Sequence, residues 1–471
     1  MAGHSYDLVI VGMGSAGMVA AEFASNLNLR VAAVERDRVG GDCLWTGCVP
    51  SKALLASAKA AHTMRHADRY GLTAVEPEID TARVFERIRS IQAELAATDD
   101  NAERFVNAGI EVHFGAARLT GPNTLEVDGV GELHARFVLL CTGSRPGVPP
   151  IAGLKETGYL TSESVWDIER APESLVVIGG GPISIEIAQA FARLGVKVTV
   201  LQKGGQILPR DEPDLVARLS DAVRADGVEL VLDVETRSVS GDGGLKVVHG
   251  TVGGHEKAWR GHEILVGAGR LPNLEGLGLE SAGIETSERG VVVNGAMRTN
   301  VKSVYAAGDM AGRYLFTHSA GYEAAAAIRN MFFPGSSDAA EFVPWCTFTD
   351  PELAHAGLTE AEARAEHDSE HVHVWRHDLS HSDRARADGN SEGEIRVVTA
   401  KGRVVGAHAL CPGAGEVIHE LALAIHEKKK LTDLGSLVHV YPTLSIGIGQ
   451  LAGEASYERA GKFGFLVRSK T

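Results

Sequence analysis

The sequence predicts an α/β protein, and three observations support that fold class. An apolar run, a glycine-rich turn, a helical pattern and a second apolar run follow one another twice in the chain. This order is typical of parallel strands joined by helices. The chain has 471 residues, which at about 150 residues per domain corresponds to about three domains. Its composition, 44% hydrophobic and 23% charged, is typical of a globular protein with ample core.

The first copy of this unit begins close to the N-terminus. Residues 7–11 form its first apolar run, and residues 31–34 form the second, which is followed by an acid. Strand, glycine turn, helix, strand and acid make the Rossmann fingerprint, in which the glycines admit a pyrophosphate and the acid accepts hydrogen bonds from a ribose. The residues that carry this prediction are Gly12, Gly14, Gly17 and Glu35.

The second copy lies near the middle of the chain. Its apolar runs are residues 175–178 and 196–201, and its turn contains Gly179 and Gly181. Ser184 stands where the third glycine would be, and so small a residue still allows the helix to pack on the strand. A second dinucleotide site is therefore predicted.

The two copies differ at the end of their second strands. Gln202 follows Gly179 by 23 residues, as Glu35 follows Gly12, and Lys203 comes next. Loss of the acid removes repulsion towards a ribose 2′-phosphate, and a lysine can pair with that phosphate. The second site is therefore predicted to favour NADPH over NADH; the alternative is that Lys203 is an ordinary solvated lysine.

Turns rich in glycine and proline follow each unit, at residues 141–146 and 267–273. Glycine and proline redirect the chain, so these turns are predicted to be crossings between domains. The cofactor-binding candidates within them are Thr142, Gly143 and Gly269.

The most specific feature of the chain is a pair of cysteines, Cys43 and Cys48, set among glycines. Residues five apart on a straight helix have Cα atoms about 8–9 Å apart, whereas a disulfide requires less than about 7 Å. An irregular turn, which glycine permits, is therefore needed. Pro50 indicates that a helix starts at or just before it. The helix dipole and Lys52 would then favour a thiolate at Cys48, so a redox-active disulfide is predicted.

The net charge and the cysteine content disfavour some classes of binding partner and of cellular location. The net charge of −15 disfavours nucleic acid or an anionic membrane surface. The five cysteines are too few and too scattered for a secreted disulfide framework, so a cytoplasmic location is expected. The chain has no signal-peptide pattern and no apolar stretch of about 18 residues, so no membrane association is expected.

Together these motifs resemble the class I flavoprotein pyridine nucleotide-disulfide oxidoreductases, a family that includes dihydrolipoamide dehydrogenase, glutathione reductase and mercuric reductase. The resemblance implies two Rossmann-like dinucleotide-binding domains plus a C-terminal α+β dimerisation domain. The implied boundaries are an FAD-binding domain at 1–150 and 277–340, an NAD(P)-binding domain at 151–276 and an interface domain at 341–471. The implied cofactors are FAD and NADPH or NADH, and the implied assembly is a homodimer.

The resemblance also implies roles for individual residues. The first glycine turn and Glu35 would hold the ADP half of FAD, and Asp309 its ribityl chain. Cys48 would lie against the flavin, and Cys43 would meet the substrate. Lys52 would lie beside the flavin, paired with Glu186.

The chain departs from the family pattern near its C-terminus. Disulfide reductases of the family carry a histidine, oriented by a glutamate, that transfers protons to and from the substrate thiol. Tyr441 and Ile446 stand at those two positions here. A phenol with a pKa near 10 is poorly matched to proton transfer at neutral pH. His439, two residues away, is either a replacement base or a packing residue.

Tyr441 and the run at residues 383–387 resemble mercuric reductase, although no cysteine pair follows Cys411. The leading prediction is an NADPH-favouring flavoenzyme that passes electrons through the cysteine pair to a disulfide, a thiol-bound metal or another soft electrophile. Pro182, where relatives place an aromatic residue, leaves open an NAD(P)H:quinone reductase with a spectator disulfide. Dihydrolipoamide dehydrogenase and a non-catalytic flavin-binding regulatory or structural partner are further alternatives. No metal site is predicted, because the histidines at 371, 373, 377 and 381 match no zinc pattern.

Overall fold

The computed structural model describes residues 6–336, 338–340 and 342–461, which form two compact units. The first unit consists of described residues from Met1–Leu54, Asp80–Ala171 and Ile264–Glu341. The second consists of those from Leu55–Ile79, Pro172–Glu263 and Phe342–Thr471. Each unit contains one of the two predicted strand–glycine turn–helix copies.

The described strands are, in chain order, β1 Tyr6–Val11, β2 Val31–Glu35, β3 Glu111–Phe114, β4 Ala117–Gly121, β5 Thr124–Val127, β6 Gly131–Leu140, β7 Ser144–Pro146, β8 Leu160–Thr161, β9 Ser174–Ile178, β10 Lys197–Leu201, β11 Glu229–Val231, β12 Val234–Asp242, β13 Leu245–Val252, β14 His255–Gly261, β15 Glu263–Val266, β16 Arg270–Pro272, β17 Thr286–Ser287, β18 Gly290–Val291, β19 Val304–Ala306, β20 Trp345–Thr347, β21 Glu352–Gly357, β22 Val372–Asp378, β23 Glu394–Ala400 and β24 Arg403–Cys411.

The described α-helices are α1 Ser15–Ser25, α2 Gly41–Trp45, α3 Cys48–Arg65, α4 Thr81–Thr98, α5 Ala102–Asn107, α6 Leu154–Thr157, α7 Pro182–Arg193, α8 Pro213–Ala225, α9 Thr317–Phe332, α10 Glu360–Glu366, α11 Asp383–Ala387, α12 Ala414–His426, α13 Leu431–Leu434 and α14 Ile446–Gly461. The predicted helix start at or just before Pro50 is confirmed, because α3 begins at Cys48. Among the described residues, no helix combines the length and the apolar character needed to cross a membrane.

The first unit is built on a sheet in the order β3-β2-β1-β6-β5-β4, with β19 also paired to β6. The strands β3, β2, β1, β6 and β19 run parallel, with Leu8 opposite both Val31 and Phe137. On one face the helices α1 and α9 pack together through buried alanines, including Ala20 and Ala324. Alanine side chains are small enough to let the two helices approach each other closely.

In the second unit the strands β11, β10 and β9 are parallel neighbours, with Leu201 opposite Ile178. The helix α7 starts four residues after β9 and is buried along most of its length, from Ser184 to Phe191. A separate antiparallel sheet, β12-β13-β14, follows. The parallel strands and α7 form the second Rossmann-like element expected from the sequence.

The C-terminal part of the second unit is an antiparallel sheet in the order β20-β21-β24-β23-β22. The helices α12 and α14 contribute Leu421 and Leu451 to a core shared with Ile395 and Val397 of β23. The predicted α/β fold class, with two Rossmann-like elements and a C-terminal α+β region, is confirmed. The exact domain boundaries given above remain a prediction.

Candidate active site

The two predicted redox cysteines lie at the junction of α2 and α3. Cys43 is in α2, and Cys48 is the first residue of α3. Gly40 and Gly41 adopt left-handed backbone angles, with φ of 104° and 55°. A Cβ on Gly47 would lie 2.9 Å from the Asp42 carbonyl oxygen, so the turn closes only with glycine there. This turn brings the two sulfurs into hydrogen-bond contact.

The environment of the two thiols differs. The hydrogen bond to Cys48, and then burial, raise the pKa of the Cys43 thiol. Cys48 is exposed, and its Sγ lies 3.3 Å from Thr317 Oγ1. Nothing local in the sequence points to Thr317, which is 269 residues away. The arrangement keeps the proton on Cys43 while Cys48, at a helix start, is placed to carry the first negative charge.

Lys52 and Glu186 were predicted to pair beside the flavin. Lys52 is half-buried in α3, one turn after Cys48. Glu186 is 5% exposed in α7, and its Oε1 accepts a hydrogen bond of 2.9 Å from the backbone N–H of Phe348. The pairing remains a prediction, because the two residues belong to different compact units.

The first glycine turn is shaped for a phosphate. Gly12 has a φ of 99°, and a Cβ there would lie 2.5 Å from the carbonyl oxygen of Cys141. A Cβ on Gly17 would lie 1.9 Å from the carbonyl oxygen of Gly12. The helix α1 begins after Gly14 with no side-chain cap and no acid in its first turn. A helix start of this kind fits a phosphate, because its backbone N–H groups point towards the turn.

Glu35 supports the same turn from the end of β2. Its two carboxylate oxygens accept backbone hydrogen bonds from Met13, at 2.7 Å, and from Asp37, at 2.8 Å. A carboxylate offers about four lone-pair positions, so capacity remains for ribose hydroxyls. The residues of this turn fit the adenosine diphosphate half of FAD.

Asp309 lies in a hydrogen-bonded cluster that the sequence did not reveal. Ser144 Oγ donates to the Asp309 carboxylate, and Arg270 Nε donates to Ser144 Oγ at 2.7 Å. Arg270 also forms an ion pair with Asp42, the residue before Cys43. Burial raises the pKa of Asp309. A half-buried carboxylate that can accept further hydrogen bonds fits the hydroxyls of a ribityl chain.

The two turns that contain Thr142, Gly143 and Gly269 are joined directly. Thr142 Oγ1 donates to the carbonyl of Asn273, and Asn273 Nδ2 donates to the carbonyl of Thr142, both at 2.9 Å. Gly143 and Gly269 have φ of 66° and 129°, which only glycine adopts readily. This bridge lies within the first compact unit, so the role of these turns as crossings between domains and their contact with cofactor both remain predictions.

The second glycine turn repeats the first with an amide in place of an acid. Gly179 has a φ of 110°, and Gly181 precedes α7 without a side-chain cap. Gln202 Oε1 accepts a hydrogen bond of 2.9 Å from the backbone N–H of Gly180, as Glu35 does from Met13. Lys203 is exposed, two residues after the end of β10.

Tyr441 and His439 have different partners in the C-terminal region. The Tyr441 hydroxyl donates to Asp383 Oδ2 at 2.9 Å, and this hydrogen bond raises the pKa of the phenol. His439 Nε2 lies 3.1 Å from Glu420, and its Nδ1 lies 3.3 Å from the carbonyl oxygen of Leu437. The His439 side chain is only 6% exposed. Tyr441 is thus presented as a neutral donor, whereas both ring nitrogens of His439 are occupied.

Comparison with known families fits this geometry. The family described as pyridine nucleotide-disulphide oxidoreductase matches residues 6–324, and the dimerisation domain of the same family matches residues 343–452. The chain belongs to the pyridine nucleotide-disulphide oxidoreductases. Members are FAD-dependent enzymes with NAD(P)H as electron donor, so the predicted cofactors and the prediction of an enzyme are confirmed.

Relatives in this family carry two different names. The chain is 36% identical to a dihydrolipoyl dehydrogenase of Thermus scotoductus, over 97% of this chain and 98% of the relative. It is 32% identical to a mercuric reductase of Bacillus cereus, over 94% of this chain and 70% of the relative. The electron acceptor therefore does not follow from family membership.

Two solved structures resemble this chain over nearly its whole length. LpdA from Mycobacterium tuberculosis matches with a TM-score of 0.87 and 27% identity, over 95% of this chain and 99% of LpdA. A Cu(II) complex of the HOCl-induced flavoprotein disulfide reductase RclA from Escherichia coli matches with a TM-score of 0.83 and 25% identity, over 95% and 99% of the two chains.

Proposed function

We propose that this enzyme uses NADPH and FAD to reduce a thiol-reactive acceptor through Cys43 and Cys48. The acceptor class is a small disulfide, a thiol-bound metal ion or another soft electrophile. The observation that supports this most directly is the contact between the two thiols at the start of α3. Bound FAD, held by the first glycine turn and Asp309, would supply the transfer of two electrons from NADPH to the cysteine pair.

The cysteines would then act in two steps on a disulfide. Cys43 passes its proton along the hydrogen bond to the Cys48 thiolate and attacks one sulfur of the acceptor, which breaks the acceptor S–S bond and releases one thiolate. That thiolate takes the proton from Cys48, which becomes a thiolate again. Cys48 attacks Cys43 in the mixed disulfide, which releases the second thiolate and forms the Cys43–Cys48 disulfide. Lys52, one turn after Cys48, would stabilise the thiolate charges.

Tyr441 favours acceptors that need a hydrogen-bond donor rather than a base. Because the hydrogen bond to Asp383 raises the pKa of the phenol, Tyr441 stays neutral at physiological pH. Reduction of a thiol-bound metal ion needs no proton transfer from a side chain, whereas reduction of lipoamide needs protons delivered to the product thiols and oxidation of dihydrolipoamide needs them removed. The occupied nitrogens of His439 support a packing role for that residue. We therefore favour a thiol-bound soft metal ion or electrophile over lipoamide.

The proposal includes a homodimer. The family's dimerisation domain is present at residues 343–452. Val438, Val440 and Tyr441 are 92%, 75% and 65% exposed in the single chain. A run of exposed apolar side chains on this domain is what a subunit interface requires.

Anaerobic titration with NADPH tests the function. Two electrons per flavin are expected to produce a long-wavelength charge-transfer band in the wild type and not in Cys48→Ser. Reduction of Hg(II) and of small disulfides should then be lost in Cys43→Ser. Quinone reduction that survives in Cys43→Ser, with no thiol-dependent activity in the wild type, would contradict the proposal and favour a quinone reductase.

A further inference from the structure

Four carbonyl groups lie between the two cysteines. That of Gly47 accepts a hydrogen bond of 3.1 Å from the backbone N–H of Ser51, which leaves those of Leu44, Trp45 and Thr46. They belong to the end of α2, a helix of only five residues. The last carbonyls of a helix have no partner within the helix. Their partners therefore decide the conformation of the segment that joins Cys43 to Cys48.

Gln92 of α4 binds two of these carbonyls. Its Nε2 donates to the carbonyl oxygens of Leu44, at 3.1 Å, and Trp45, at 2.8 Å. A primary amide has two N–H groups, so both are used. Gln92 is only 6% exposed.

Trp166 binds the third carbonyl. Its indole Nε1 lies 2.8 Å from the carbonyl oxygen of Thr46 and 2.8 Å from that of Ser162. Trp166 is also 6% exposed. The single indole N–H of Trp166 is thus shared between the carbonyls of Thr46 and Ser162. Its hydrogen bond to Thr46 is therefore weaker than those that Gln92 donates.

We propose that Gln92 and Trp166 are positioning residues that set the redox potential of the Cys43–Cys48 couple. The inference rests on the proposed function, because it concerns the same disulfide. By fixing three carbonyls, the two side chains hold the segment in one backbone conformation, in which the thiols touch even when reduced. This raises the effective concentration of each thiol towards the other and stabilises the disulfide.

Equilibration of the holoenzyme with dithiothreitol measures this stability. Reduced dithiothreitol gives up two electrons and two protons and becomes a cyclic disulfide, while the Cys43–Cys48 bond breaks and two thiols form. Samples are equilibrated without oxygen at a series of dithiothreitol ratios, quenched in acid and alkylated. Mass spectrometry of the peptide that contains both cysteines gives the reduced fraction.

Gln92→Leu is expected to shift this equilibrium about tenfold towards the dithiol, which equals about 30 mV for a two-electron couple. Trp166→Phe keeps the ring and removes the N–H, so a smaller shift of about threefold is expected. Both shifts should persist in enzyme with full flavin content.

Asn123→Leu is the matched control. Asn123 Nδ2 also donates to two consecutive carbonyl oxygens, of Ala135 at 2.8 Å and Arg136 at 2.9 Å, in the same compact unit. This variant loses the same pair of hydrogen bonds away from the cysteines, and its equilibrium should equal that of the wild type.

The possible results distinguish a failure of the redox-potential proposal from a failure of the proposed function. A wild type that forms the disulfide, with Gln92→Leu and Trp166→Phe within twofold of it, would overturn the inference alone. So would an equal shift in Asn123→Leu. A wild type that forms no Cys43–Cys48 disulfide would overturn both. If Gln92→Leu does not fold, Trp166→Phe decides by itself.

Discussion

At the scale of single residues, the contact between Tyr441 and Asp383 keeps the phenol of Tyr441 protonated. The two residues are 58 positions apart, and the hydroxyl donates to the carboxylate at 2.9 Å. A carboxylate that accepts this hydrogen bond stabilises the neutral phenol and raises its pKa. Tyr441 therefore remains neutral, and a hydrogen-bond donor, at physiological pH.

Removal of that carboxylate should lower the pKa of Tyr441. In Asp383→Ala we expect the phenol to titrate near its ordinary value of about 10, below its value in the wild type. The ultraviolet absorbance of phenolate, after subtraction of the Tyr441→Phe titration, measures it. Asp388→Ala removes another acid of the same segment, paired with Arg384, and should leave the curve unchanged. An unshifted titration in Asp383→Ala would show that the contact does not form in solution.

A second prediction at this scale concerns Lys203 and the choice of nucleotide. If Lys203 pairs with the 2′-phosphate, Lys203→Glu should raise the KM for NADPH about 10- to 100-fold, because a charge-assisted hydrogen bond contributes about 1.5–3 kcal/mol. The KM for NADH should change less than threefold. Steady-state kinetics with both nucleotides test this.

Lys197 provides the control for Lys203. It is an exposed lysine at the opposite end of the same strand, β10. Lys197→Glu makes the same charge change without facing the nucleotide turn, so both KM values should stay near those of the wild type. Equal effects of the two substitutions would indicate a general electrostatic effect and would remove the basis for the NADPH preference.

At the scale of elements, the two glycine turns differ in how closely helix and strand approach. A Cβ on Gly17 would lie 1.9 Å from a backbone oxygen, whereas Ser184 at the same place in the second turn is accommodated with 1% exposure. The first unit thus holds its helix closer to the turn than the second does. The sequence shows the substitution but not the distance.

Placing serine at Gly17 and glycine at Ser184 should therefore have unequal effects on flavin binding. Gly17→Ser should displace the start of α1 and abolish FAD retention, measured as flavin absorbance per chain after gel filtration. Ser184→Gly should keep a full flavin complement and cost at most about 1 kcal/mol of helix stability. Full flavin content in Gly17→Ser would show that the turn adapts to a side chain.

Much of this architecture could be predicted because its signals are local. The glycine turns, the acid or amide 23 residues later and the cysteine pair each lie within short segments. The partners that orient the site do not. Thr317 reaches Cys48 across 269 residues, and Gln92 reaches Leu44 across 48. Such contacts depend on how the elements pack, which periodicity and spacing do not specify.

At the scale of the whole molecule, the exposed apolar run near Tyr441 gives a test of assembly. Val438→Asp places a charge on the most exposed of these side chains, at 92%. We expect the dimer to dissociate to a species of 49.8 kDa in sedimentation equilibrium, because an unpaired charge in a subunit interface is strongly unfavourable. Flavin should be retained, while acceptor reduction should fall.

The control for this prediction lies outside the C-terminal region. Val106, in α5, is 54% exposed, and Val106→Asp should leave both the mass and the activity unchanged. A Val438→Asp protein that remains dimeric would place the interface elsewhere on the dimerisation domain.

The matched positions Glu35 and Gln202 have a consequence for how one chain handles two adenine nucleotides. Each side chain braces its own glycine turn through one backbone N–H, and the two differ by a single negative charge. In the proposed binding mode, the Glu35 carboxylate would repel a ribose that carries a phosphate, whereas the Gln202 amide would not. We therefore expect a large excess of NADPH to leave the flavin in its pocket, so that the electron donor never competes with the prosthetic group.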